Sequence, residues 1–154
     1  VIVVSRNEAD AELGAKICAA FDAFVAAPQV RGRETWSAFL DRVHATVLKD
    51  DPRAFEGLLW VLANKKGCGH QNVAGSLLTQ FEIPCRIGLD AFAELILLNF
   101  NASARETVRY LVKSFGQEAV WRRIRALQSS ELTANERRTL DCLRYWLGEH
   151  PGSG

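Results

Sequence analysis

Between Gly88 and Phe100 the chain reads GLDAFAELILLNF, a stretch in which only Asp90, Glu94 and Asn99 are polar. Leu89, Phe92, Ala93, Ile96, Leu97 and Phe100 recur at i, i+3, i+4, i+7, i+8 and i+11, the spacing of one face of an α-helix. Ala91, Leu95 and Leu98 widen that face around most of the circumference. A helix of this kind is expected to be enclosed by others. It is too short for a bilayer, which takes ~20 apolar residues. The pattern predicts a central helix over 88–100 with the rest of the chain packed around it.

The flanking segments carry the same period and mark their ends with capping chemistry. Ser5 and Glu8 make a capping-box pattern before Leu13, Ile17, Phe21 and Phe24, predicting a first helix from about Asn7 to Ala27. Pro28 and Gly32 break the chain. A second helix is expected from about Glu34 to Lys49, with Trp36, Phe39, Leu40, Val43 and Val47 on one face. Asp51-Pro52 opens a third, reaching about Lys66 and burying Phe55, Leu58, Leu59 and Leu62. The glycines of the 65–71 segment read as a turn, after which Asn72 caps a fourth helix carrying Ala74, Leu77, Leu78 and Phe81. After the central helix, a second box at Ser103 and Glu106 opens a sixth, with Val108, Leu111, Val112 and Phe115 inward. Gly116 separates it from a seventh over about 117–128. A third box at Thr133 and Glu136 opens an eighth, carrying Leu140, Leu143 and Leu147.

The prediction is an all-α fold of about eight helices, paired antiparallel as 1–2, 3–4, 5–6 and 7–8 because the connections are short. A compact multi-helix bundle is the expected architecture, and a short irregular α-solenoid is the alternative. Sustained period-2 alternation is absent, and only Val1 to Val4 resembles a strand. At 154 residues, 48% hydrophobic and 24% charged, the composition is that of an ordinary globular protein. One domain over 1–150 is expected, with ProGlySerGly at 151–154 as a linker or tail. The chain starts at Val1 and has no Met, as expected for a piece of a larger protein. Cys18 and Cys142 sit among apolar helical positions, and a chain this long needs no staples. The four cysteines could form two disulfides, in three possible pairings, but these features favour a reducing, intracellular setting, cytoplasmic or nuclear.

The net charge of +1 argues against a polyanion partner engaging the whole surface. Residues 101–154, however, carry nine Arg and Lys against six Asp and Glu. Arg105, Arg109 and Lys113 stand at i, i+4 and i+8, a stripe along the sixth helix, and the seventh adds Arg122, Arg123 and Arg125. If those helices are neighbours, six cations share a surface suited to an acidic protein segment or to phosphates. Trp60, off the main face of the third helix, and Trp146, near the end of the eighth, are candidate aromatic anchors.

Catalytic chemistry is hard to assemble. Cys68-Gly-His70 with Cys85 supplies metal-ligand residue types, but a structural zinc needs four ligands and the fourth is missing. Cys68 and His70 also have the types of a thiol nucleophile and its base, without an orienting third group. No nucleophile elbow, phosphate-binding glycine loop or HisGluXXHis motif occurs. The sequence therefore points to a non-enzymatic protein-interaction domain without a cofactor or metal. It would present a helical groove or basic face to a protein or peptide, with no membrane involved. The alternatives are a nucleic-acid-binding domain using the Arg/Lys face, and a Cys/His enzyme or zinc site at Cys68 and His70.

Overall fold

Small side chains set where the helices cross. Gly75, with Ala74 and Ser76 beside it, lies in the middle of the fourth of eight helices in the computed structural model, which describes residues 7–101 and 105–148. These are α1 (Glu8–Ala26), α2 (Trp36–Val43), α3 (Ala54–Asn64), α4 (Cys68–Gln80), α5 (Leu89–Asn99), α6 (Arg105–Phe115), α7 (Gln117–Gln128) and α8 (Ala134–Gly148). A π-helical turn, His44–Leu48, continues α2. The fold is an all-α multi-helix bundle, with no strand among the described residues. Val1 to Val4, Ser5 and Ser103 lie outside them.

Residues 73–78 of α4 are buried without interruption. A Cβ at Gly75 would stand 2.7 Å from the carbonyl carbon of Glu106 and 2.8 Å from the amide nitrogen of Thr107. The backbones of α4 and α6 are thus in direct contact. The α1–α3 crossing is built similarly: a Cβ at Gly57 would stand 2.7 Å from the Leu13 side chain, and Gly14 lies beneath the Trp60 ring. Helix α4 packs on α6, α3, α1 and α2, and is the true centre.

This corrects the expectation for the 88–100 segment. Helix α5 rests on α3, α7 and α8 and buries Phe92, Leu95 and Ile96. Asp90, Glu94 and Leu98 form an outward line at i, i+4 and i+8, and Leu98 is 78% exposed. Apolar count overstated its enclosure because it undervalues small residues, which let backbones close in from several sides. The pairing is corrected as well. Sequential neighbours α3–α4 and α7–α8 do pack, but α1 lies chiefly on α3 and α6 on α4, while α5 rests chiefly on α3.

Local signals fared better. Thr133 Oγ1 accepts from the Glu136 amide at 3.1 Å while Glu136 accepts from the Thr133 amide at 2.9 Å, the reciprocal box expected there. Those bonds hold the Glu136 carboxyl below the usual glutamate range. Gly116 has φ +84°, a conformation that favours glycine, and separates α6 from α7. Asn7 caps α1, its Oδ1 accepting from the Ala9 amide at 2.9 Å. Helix α4 begins one turn earlier than predicted, at Cys68 behind Gly67, so Asn72 lies inside it.

Three carboxamides fasten the bundle where α3 ends. Gln71, almost fully buried, donates to the Lys65 and Asn99 carbonyls at 2.8 and 2.7 Å. Asn99 donates to the Leu62 and Lys65 carbonyls at 2.7 and 3.2 Å. The Asn101 amide donates to Gln71 Oε1 at 2.9 Å, and its side chain to the Lys66 carbonyl at 2.7 Å. Carbonyls left over at the end of α3 are thereby satisfied from α4 and the end of α5.

Candidate interaction groove

Helices α2 and α6 both pack on α4, leaving a line of it open between them: Gly69, Asn72, Ser76 and Thr79, at i, i+3, i+7 and i+10. Two adjoining hollows of ≈ 410 and ≈ 440 Å³ follow this line and share Trp36, Ser76, Arg105 and Glu106. Together they make one groove. Its floor is α4, one wall is Phe21, Trp36, Ser37 and Leu40, and the other is Arg105, Glu106, Arg109 and Trp146.

The first wall is aromatic and rigid. Thr35 caps α2 by accepting from the Ala38 amide at 3.1 Å, which fixes the turn carrying Trp36. The indole meets Phe21, Phe24 and Phe39 at centroid distances of 6.2, 6.0 and 5.6 Å and remains 39% exposed. The opposite wall is held by one carboxylate. Glu106 lies 3.1 Å from Arg109 Nη1 and 3.7 Å from Arg105 Nη2, so it orients two half-exposed guanidinium groups. In the floor, Asn72 Oδ1 and Thr79 Oγ1 are buried without a hydrogen-bond partner among the described residues.

The cations predicted to share a surface are divided. Arg105 and Arg109 line the groove. Lys113 reaches the end of α4, donating to the Thr79 carbonyl at 3.1 Å and standing 3.4 Å from Glu82. Arg122 pairs with Glu118 at 3.0 Å and Arg123 with Asp90 of α5 at 3.2 Å, while Arg125 is exposed on α7. Five of the six therefore stand within 4.0 Å of a carboxylate. Of the aromatic candidates, Trp146 lines the groove, whereas Trp60 is half-buried over Gly14 with Lys65 5.8 Å from its ring. Trp36 shares its helical face with Phe39, Leu40 and Val43, yet the groove depends on it. Its position in the first turn, where a helix end leaves one side of the ring uncovered, was the available signal.

Cys68 and His70 each have another partner. Asn72 Nδ2 donates to Cys68 Sγ at 3.3 Å, while His70 Nε2 is 2.8 Å from Asp22 Oδ1 and its ring stands edge-on to Phe21. The Cys85 thiol donates to the Ile87 carbonyl at 3.3 Å, and burial pushes it, like Cys18, above the usual thiol range. All four cysteines are free. Among the described residues, no three His, Cys, Asp or Glu side chains are gathered as metal ligands, and no helix is long and apolar enough to cross a membrane. No protein-family model, curated protein or solved structure matches the chain.

Proposed function

We propose that the chain is a non-enzymatic protein-interaction domain whose α4 groove holds a partner segment bearing apolar and acidic side chains. The observation that carries this reading is the pairing of opposite chemistries across one floor. An exposed indole faces two guanidinium groups over a line of small and polar residues. Tryptophan and arginine are the residue types that most often anchor interfaces. An apolar partner side chain would sit against Trp36, and a carboxylate would take bidentate hydrogen bonds from Arg109. The dispersal of Lys113, Arg122 and Arg123 onto their own carboxylates weakens the nucleic-acid alternative, which needs a continuous basic face.

Selection of a displayed library of random twelve-residue peptides on the protein tests the reading. Selected peptides should lose binding in Trp36→Ala and in Arg109→Glu, each checked for an unchanged fold by its melt. Binding indifferent to both substitutions refutes it. Salt-dependent binding of oligonucleotides that Arg109→Glu abolishes would replace it with the nucleic-acid reading.

A further inference from the structure

Beyond Trp146, the same face of α8 carries Thr139 and Cys142, which with Trp146 stand at i, i+3 and i+7. There the surface dips again into a hollow of ≈ 360 Å³ between the end of α5 and the first turns of α8. Its charged lining differs from that of the groove. Lys66, from the α3–α4 connection, and Arg138, from α8, both border it, and no carboxylate does. Neither cation makes an ion pair among the described residues, in contrast to five of the six on α6 and α7.

The carboxamides of Gln71, Asn99 and Asn101 have already engaged the carbonyls of Leu62, Lys65, Lys66 and Asn99. Much of the negative end of α3 is therefore covered, and the rim of the hollow is left to its cations. The apolar part comes from α5: Leu97 and Phe100 are half-buried in the lining, and Leu98 stands in line with Asp90 and Glu94 on the solvent side. A leucine at a solvent position, in one hollow with a lysine and an arginine that make no ion pair among the described residues, is a surface with an unmet complement in both charge and hydrophobicity.

We infer that this hollow is the acidic-end subsite of the groove, taking the carboxylate side chains of the same partner polypeptide whose apolar anchor lies against Trp36. The inference rests on the groove reading of the preceding subsection. A polypeptide fits better than a small molecule because the hollow is shallow and both cations are exposed. A ligand of a few atoms would remain largely in water, whereas a segment held already in the groove reaches the hollow as an intramolecular step. The partner motif is an apolar or aromatic residue with a pair of Asp or Glu elsewhere in the same segment.

The test uses the full chain and the twelve-residue displayed library. Selected sequences should combine an apolar anchor with an acidic pair. A synthetic copy of the selected peptide should bind about tenfold more weakly to the double variant Lys66→Glu/Arg138→Glu, as expected for two exposed pairs reversed in sign. The difference should shrink as salt is raised. Both side chains are exposed and make no ion pair among the described residues, so the melt should not move. The same peptide with its acidic pair replaced by Gln should bind the wild type and the double variant alike.

If Trp36→Ala abolishes binding while the double variant binds as the wild type does, the subsite is refuted and the groove reading stands. If binding survives Trp36→Ala and Arg109→Glu, the groove reading fails and takes this inference with it. Enrichment of no sequence refutes both.

Discussion

Gly75→Ala places a methyl group where α4 and α6 meet backbone to backbone. The added carbon would stand 2.7 Å from the Glu106 carbonyl carbon and 2.8 Å from the Thr107 nitrogen, closer than carbon can approach either atom. A flexible side chain could rotate away, but a helix backbone can only translate. Overpacking in a well-packed interior costs about 1–3 kcal/mol, and contact with main chain belongs at the upper end. Alanine returns about 1 kcal/mol through its better helix propensity. The net expectation is a loss of about 1–2 kcal/mol. For a chain of this size that corresponds to a melting temperature lower by about 2–8 °C. Thermal unfolding followed by circular dichroism measures it, with Gly148→Ala as the control, since a Cβ at Gly148 meets nothing within 4 Å. A Gly75→Ala protein melting at or above the wild-type temperature would refute the backbone contact on which the α4–α6 crossing is built. Because Arg105 and Glu106 begin α6, the same displacement should also weaken binding of any peptide selected on the groove.

Other expectations follow from the burial pattern and the caps. Ile96→Asp should unfold the domain by burying an unpaired charge, while Leu98→Asp, two residues on, should leave the melt within about 0.5 kcal/mol of wild type; equal effects would contradict the orientation of α5. Thr133→Ala should cost about 1 kcal/mol in denaturant unfolding, with an unchanged m-value. The carboxyl of Glu136 is held low by the same box. Its contribution is present above the ordinary glutamate range and lost as pH falls through the folded value. A stability difference between wild type and Glu136→Gln should therefore exist at neutral pH and close on acidification. Burial pushes the Tyr110 phenol, which donates to the Ile83 carbonyl at 2.7 Å, well above its usual range near 10. The raised value means stability is full below that range and declines as pH climbs beyond it. Tyr110→Phe should flatten that alkaline decline in a pH series of urea melts.

The sequence carried the helices because helical period and capping are local. The Thr133–Glu136 box and the Gly116 break are each decided within four residues, and both appear as expected. Enclosure is a different kind of property. Helix α4 looks unremarkable in sequence, CGHQNVAGSLLTQ, because its central position depends on how closely others approach Ala74, Gly75 and Ser76. Helix α5 looks central because leucine outweighs alanine in any apolar count, and Leu98 contributes to that count from the solvent side. The groove was illegible for a further reason. Trp36, Ser76 and Arg105 lie about thirty to forty residues apart in sequence, and only the non-sequential packing of α2 and α6 on α4 brings them together. The basic stripe was visible, but its partners were not. Glu82 and Asp90, which neutralise Lys113 and Arg123, come from outside the stripe's own helices.

The carboxamide clamp at the end of α3 carries no formal charge. Concentrated electrolyte that dissolves the Lys113–Glu82 or Arg122–Glu118 bridges leaves Gln71, Asn99 and Asn101 with the same partners, and so does a swing from mildly acidic to mildly alkaline medium. The seam between α3, α4 and α5 should thus keep its shape under brine that silences the cations beside it. Electrolyte can then tune how strongly this end of the molecule attracts an acidic chain without altering the mould into which that chain must fit.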